Sequence, residues 1–117
     1  MSCTCWIGIH IGSGVGGFGK LNPDIIKGYT TLSRAYQKAG HLDEKTRELI
    51  ALAAAITLRC DGCITVHAAA ARERGATKEE IAEVLGVAVS VNAGAAVVYS
   101  TRALDAFDAA AEINPNA

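Results

Sequence analysis

Aromatic side chains are nearly missing from this chain. One Trp, three Tyr and two Phe stand among 117 residues, although half of the sequence is apolar. A core filled with rings is therefore excluded. The alanine-rich second half implies helices that approach closely through small side chains. Charge of one sign is missing as well. A formal net charge of -1 offers no basic excess, which argues against nucleic acid or an anionic membrane surface as the main partner. Four cysteines are too few for a secreted disulfide scaffold. No signal peptide is evident: a basic leader is lacking, and glycines interrupt every short apolar run near the start. The expected location is cytoplasmic. In that reducing setting a C-x-x-C is more often catalytic or metal-binding than structural.

The chain has the length of one domain with its own core. Three regions differ in composition: a glycine-rich arm over 1–20, a helical domain over 21–112 and a frayed tail over 113–117. The arm alternates Ile7, Ile9 and Ile11, then runs through five glycines from Gly12 to Gly19, and reads as flexible or irregular with a short extended piece. Gly12-x-Gly14-x-x-Gly17 fits a dinucleotide fingerprint by letters alone, because no second strand follows it. The near P-loop Gly14-x4-Gly19-Lys20 fails at Leu21, where a magnesium-binding hydroxyl belongs.

Beyond residue 20 every signal is helical, so the class is all-α. Asn22-Pro23-Asp24 combines a cap, proline at the first helical position and an acid in the first turn. Ile25, Ile26, Tyr29, Leu32 and Tyr36 follow at helical spacing, and Gly40 supplies a stop. Asp43 caps a second helix carrying Leu49, Leu52, Ala53 and Ile56, with a break expected near Arg59 to Gly62. A third helix runs from about Cys60 to Arg74 and ends at Gly75. Thr77 to Glu80 is a capping box. Helix then continues to about Ala111, expected as two pieces divided near Ser90 to Gly94. The uncharged run from Val84 to Tyr99 is short for a membrane span and contains Ser90 and Asn92, which favours a bundle or subunit-interface helix. That apolar stretch exceeds what a small monomer buries, so an oligomer is expected.

Polar groups interrupt the alanine- and leucine-rich centre in the pattern E-x11-C-x-x-C-x3-H, which is Glu48, Cys60, Cys63 and His67. If 44–58 and 61–74 form an antiparallel hairpin, Cys63 and His67 share a face at i and i+4. Glu48 and His67 then lie at nearly the same height across the two helices. A thiolate near a helix N-terminus is favoured by the dipole, with Arg59 adding positive charge. His67 is placed to take a thiol proton, and Glu48 to orient the imidazole. Attack on a peroxide oxygen leaves a sulfenic acid that the other cysteine condenses with. Two other readings stand beside this one. The cysteines fit a pair of buried small hydrophobes, or half of a zinc site that Cys3 or Cys5 completes.

With Gly75-Ala-Thr-Lys-Glu-Glu-Ile81 after it, this spacing resembles the AhpD-like group of the carboxymuconolactone decarboxylase family over roughly residues 21–110. The resemblance implies an all-α AhpD-like helical bundle, an antiparallel hairpin carrying the C-x-x-C, and assembly as homotrimers or homohexamers. It implies a hydroperoxide reductase in which Cys63 attacks the peroxide, Cys60 resolves it, and Glu48 with His67 relays protons. No cofactor is implied, and electrons come from a lipoyl-bearing or other thiol protein. AhpD itself has a histidine directly before the second cysteine, and Gly62 stands there in this chain. The family's decarboxylases lack the dithiol, whose presence argues against lactone decarboxylation. Two alternatives remain: a metal-binding or assembly module, and decarboxylase-like acid/base chemistry on Glu48 and His67.

Overall fold

The computed structural model describes residues 13–116, and no strand occurs among them. Helix α1 covers 13–21, α2 is Pro23–Ala35 with a 3-10 turn Tyr36–Lys38, α3 is Glu44–Leu58, α4 is Asp61–Glu73, and α5 is Lys78–Ile113. The all-α expectation therefore holds, and α3 and α4 form the expected hairpin.

Local chemistry accounts for the boundaries. Pro23 opens α2, although Asn22 makes no side-chain cap bond. The Asp43 carboxylate accepts the Thr46 amide at 2.7 Å, and this bond holds its carboxyl below the usual aspartate range. The Thr77–Glu80 capping box closes in both directions, at 3.1 and 3.0 Å. Because the folded Asp43 is the stronger acid, its stabilisation is present above the ordinary aspartate pKa and is lost as pH falls through the lower folded value. Asp43→Asn is accordingly expected to flatten the loss of urea stability below about pH 4. An unchanged acid limb in the variant would contradict this.

The ends of α3 and α4 use the same closing motif with different residues. After α4, Gly75 at φ 87 donates to Arg72, and the Ala76 amide donates to Ala71. After α3, Arg59 at φ 55 donates to Ile56, and the Cys60 amide donates to Ala55 at 3.0 Å. The left-handed position suits glycine and strains a residue with a Cβ. Arg59→Gly is thus expected to stabilise the fold by about 1 kcal/mol, seen as a higher urea midpoint. A lower midpoint would show that the arginine side chain outweighs the backbone strain.

Two sequence expectations are corrected. The glycine-rich run is helical over 13–21 rather than irregular, and residues 1–12 lie outside the described residues. Helix-compatible φ values cost glycine entropy but are not forbidden to it, and the Asn22 amide donates to Phe18 across the junction with α2. The expected division near Ser90 to Gly94 is also absent, because α5 is one helix of 36 residues. Asn92 does not compete for the backbone there. Its amide donates to Ala88 O at 2.7 Å and to Thr57 Oγ1 at 2.9 Å.

The core is small. Among the described residues Leu52, Ala55, Ala71 and Ala88 are the buried hydrophobics, so α3, α4 and the first part of α5 meet mainly through small side chains. The expectation of a full core within one chain is not met. The radius of gyration is 20.0 Å, against about 13 Å for a compact chain of this length. Helix α5 is long and apolar enough to cross a membrane by length and composition, and most of its length is exposed.

Candidate active site

The site lies where α3 hands over to α4. The turn there is a single pair of residues, Arg59 and Cys60, so the helices reverse direction sharply. Cys60 is the N-cap of α4, and its Sγ accepts the Cys63 amide at 3.2 Å. Cys63 occupies the third helical position, which brings the two Cα atoms to 5.3 Å and the two sulfurs into a disulfide. Both cysteines are half-buried. A helix N-terminus presents unpaired amides, and these stabilise a thiolate when the disulfide is opened.

One turn further along α4, the His67 Nδ1–H donates to Glu48 Oε2 of α3 at 2.7 Å. The pair is sheltered, with side chains 26% and 15% exposed, so the bond forms away from most competing water. A carboxylate only accepts, so this contact sets a proton on Nδ1, and in the neutral ring the lone pair lies on Nε2. The imidazole thereby gains a free basic nitrogen on the helix that carries Cys63. At the opposite end of α3, an exposed Arg74–Glu44 ion pair at 3.0 Å ties the end of α4 to it, and a half-buried Lys45–Glu80 pair at 2.9 Å ties α5 to it. Its bond to Lys45, followed by the Thr77 amide, holds the Glu80 carboxyl low, and its bond to Glu80 holds the Lys45 ammonium high.

All four residues singled out from the sequence therefore fall at the α3–α4 turn and the paired faces beside it. Sequence reasoning missed the capping role of Cys60. The available signal was its place three residues before Cys63 and directly ahead of an acidic first turn, a slot where serine or aspartate usually stands. The zinc reading drew on Cys3 and Cys5, which lie outside the described residues. Among the described residues no group of three or more His, Cys, Asp or Glu side chains is placed to hold a metal.

Known proteins resemble this chain in sequence and in fold. The model of the carboxymuconolactone decarboxylase family matches residues 23–106. An uncharacterised protein of Haemophilus influenzae is 46% identical over 98 residues, covering 84% of this chain and 87% of that protein. A protein of Paracoccus denitrificans, called uncharacterised protein 4 in the cox locus, is 40% identical over 80 residues, 68% of this chain and 72% of its own. Among solved structures, an apo carboxymuconolactone decarboxylase family protein of Legionella pneumophila superimposes with a TM-score of 0.71. It is 38% identical and covers 90% of this chain and 94% of its own. A protein of Methanobacterium thermoautotrophicum gives a TM-score of 0.68 at 32% identity, covering 73% of this chain and 96% of its own. With its E-x11-C-x-x-C-x3-H centre and helical hairpin, this chain belongs to the carboxymuconolactone decarboxylase family.

Proposed function

We propose that this protein is a thiol-dependent hydroperoxide reductase of the AhpD-like kind. The observation that carries the reading is the Glu48–His67 hydrogen bond set one helical turn from a Cys60–Cys63 disulfide. In the reduced enzyme His67 Nε2 accepts the Cys63 thiol proton, and Glu48 stabilises the imidazolium that results. The Cys63 thiolate attacks the terminal peroxide oxygen and the O–O bond breaks. The proton passes to the departing alkoxide, giving an alcohol and a Cys63 sulfenic acid. Cys60 then attacks that sulfur. Water leaves, and the Cys60–Cys63 disulfide forms.

A dithiol donor closes the cycle by exchange, returning both cysteines to thiols while its own sulfurs join. The proposed donor is a lipoyl-bearing or other dithiol protein. The glycine at 62 leaves the relay with one imidazole rather than two.

Steady-state consumption of an organic hydroperoxide with dihydrolipoamide as reductant tests the cycle. Turnover that disappears in Cys63→Ser supports it. Peroxide persisting beside fully reduced wild-type protein would overturn it. A second reading rests on the family and on the same Glu48–His67 pair: acid/base chemistry on a small carboxylated lactone. It requires activity that survives replacement of both cysteines.

A further inference from the structure

The two helices of the hairpin close through left-handed residues, and only one of them uses glycine. Gly75 follows α4 at φ 87, whereas Arg59 follows α3 at φ 55. A side chain at that position strains the backbone, and glycine avoids the strain. Outliers of this kind concentrate at ligand clamps and reacting centres, where the side chain has a task that offsets them.

The strained residue stands directly beside the reactive pair. Arg59 precedes Cys60, so their Cα atoms are about 3.8 Å apart. The Arg59 amide donates to Ile56 and the Cys60 amide to Ala55, so one turn fixes the arginine backbone and one half of the disulfide together. The Arg59 side chain is exposed, and among the described residues it has no ion-pair or hydrogen-bond partner. Both cations inside α3 are engaged, by contrast. Lys45 pairs with Glu80, and Arg47 Nη1 donates to Leu42 O at 2.7 Å. Asp61, on the other side of Cys60, lies in the first turn of α4, where the helix dipole favours its charge without help from Arg59. An open guanidinium presents a planar fork of donors that matches a carboxylate.

We propose that Arg59 grips a carboxylate on the dithiol that reopens the Cys60–Cys63 disulfide, and so selects anionic donors over neutral ones. The inference rests on the redox reading of that pair. Reopening takes two displacements. One donor thiolate attacks a sulfur of the disulfide, which forms a mixed disulfide and releases one cysteine as thiolate. The second donor thiolate attacks the donor sulfur of that bond, joining the donor's own sulfurs and releasing the other cysteine. The two protons lost by the donor end on Cys60 and Cys63. A carboxylate held at Arg59 keeps the second thiol in place between the steps. Peroxide attack is a single displacement at Cys63, on the His67 face, and has no such interval.

Dihydrolipoate and dihydrolipoamide carry the same dithiol and differ by one charge, so the ratio of their rates isolates the carboxylate. Each is mixed anaerobically with oxidised protein, without peroxide, and disulfide opening is followed by quenched-flow alkylation and mass spectrometry. The neutral bis(2-hydroxyethyl) disulfide supplies the intrinsic ratio of the two donors. The wild-type ratio is expected to exceed that reference about two- to fivefold, the range of an exposed ion pair, and to fall toward it in molar salt. Arg59→Gln and Arg59→Gly lose the preference, and Arg59→Lys keeps part of it because the charge remains without the fork. Arg59→Gly also relieves the backbone, so its loss of preference is not a failure to fold. A wild-type ratio equal to the reference, or a preference that persists in Arg59→Gln, would overturn the inference and leave the redox reading standing. A disulfide that neither donor opens would overturn both.

Discussion

Replacing Cys63 with serine is expected to abolish peroxide reduction altogether, while Cys60→Ser still reduces a single equivalent. The asymmetry follows from position. Cys63 stands inside the helix that carries His67, one turn ahead of it, and shares a face with it at i and i+4. Cys60 caps the helix, and its sulfur already accepts the Cys63 amide at 3.2 Å. In Cys60→Ser the hydroxyl keeps that capping bond, so the fold is retained. The sulfenic acid on Cys63 then has no neighbour to condense with and reacts with dimedone. Intact-protein mass spectrometry after one peroxide addition reads the adduct directly. An adduct on Cys60 in the Cys63→Ser variant, with none on Cys63 in the other, would invert the assignment.

The second large effect concerns the relay. His67→Phe removes the base and is expected to slow sulfenic acid formation by about 10²- to 10⁴-fold at neutral pH. Glu48→Gln is expected to cost less. An amide oxygen still accepts from Nδ1 and keeps the ring oriented, but it no longer offsets the imidazolium charge. The order His67→Phe below Glu48→Gln below wild type, measured by stopped flow on reduced protein, is the signature of a relay. Two variants indistinguishable from wild type would make the 2.7 Å contact a purely structural one.

Most of the site was legible because it depends on local spacing. Residues i and i+4 share a helix face whatever surrounds them, which placed Cys63 with His67. The Glu48 partnership needed one further assumption, a tight turn, and the left-handed Arg59 provides it. Caps at Asp43 and Thr77 were legible for the same local reason. What the sequence left hidden depends on longer-range matters. The continuity of α5 turned on an Asn92 amide bonded across to Thr57, a contact 35 residues away that no window reveals. The missing core was hidden too, since Ile25, Tyr29, Leu32 and Tyr36 have the same pattern whether a helix packs on its own chain or on a neighbour. The glycine-rich segment misled through composition, because glycine permits many conformations and excludes few.

One measurement bears most directly on the central claim that Cys60 and Cys63 form a redox dithiol. Fully reduced protein is mixed anaerobically with one equivalent of an organic hydroperoxide. Alcohol production and thiol loss are followed together, and the oxidised product is mapped by peptide mass spectrometry. The account predicts two thiols lost per alcohol formed, with the new bond joining Cys60 to Cys63. Peroxide left intact beside free thiols, or oxidation confined to Cys3 and Cys5, would contradict it.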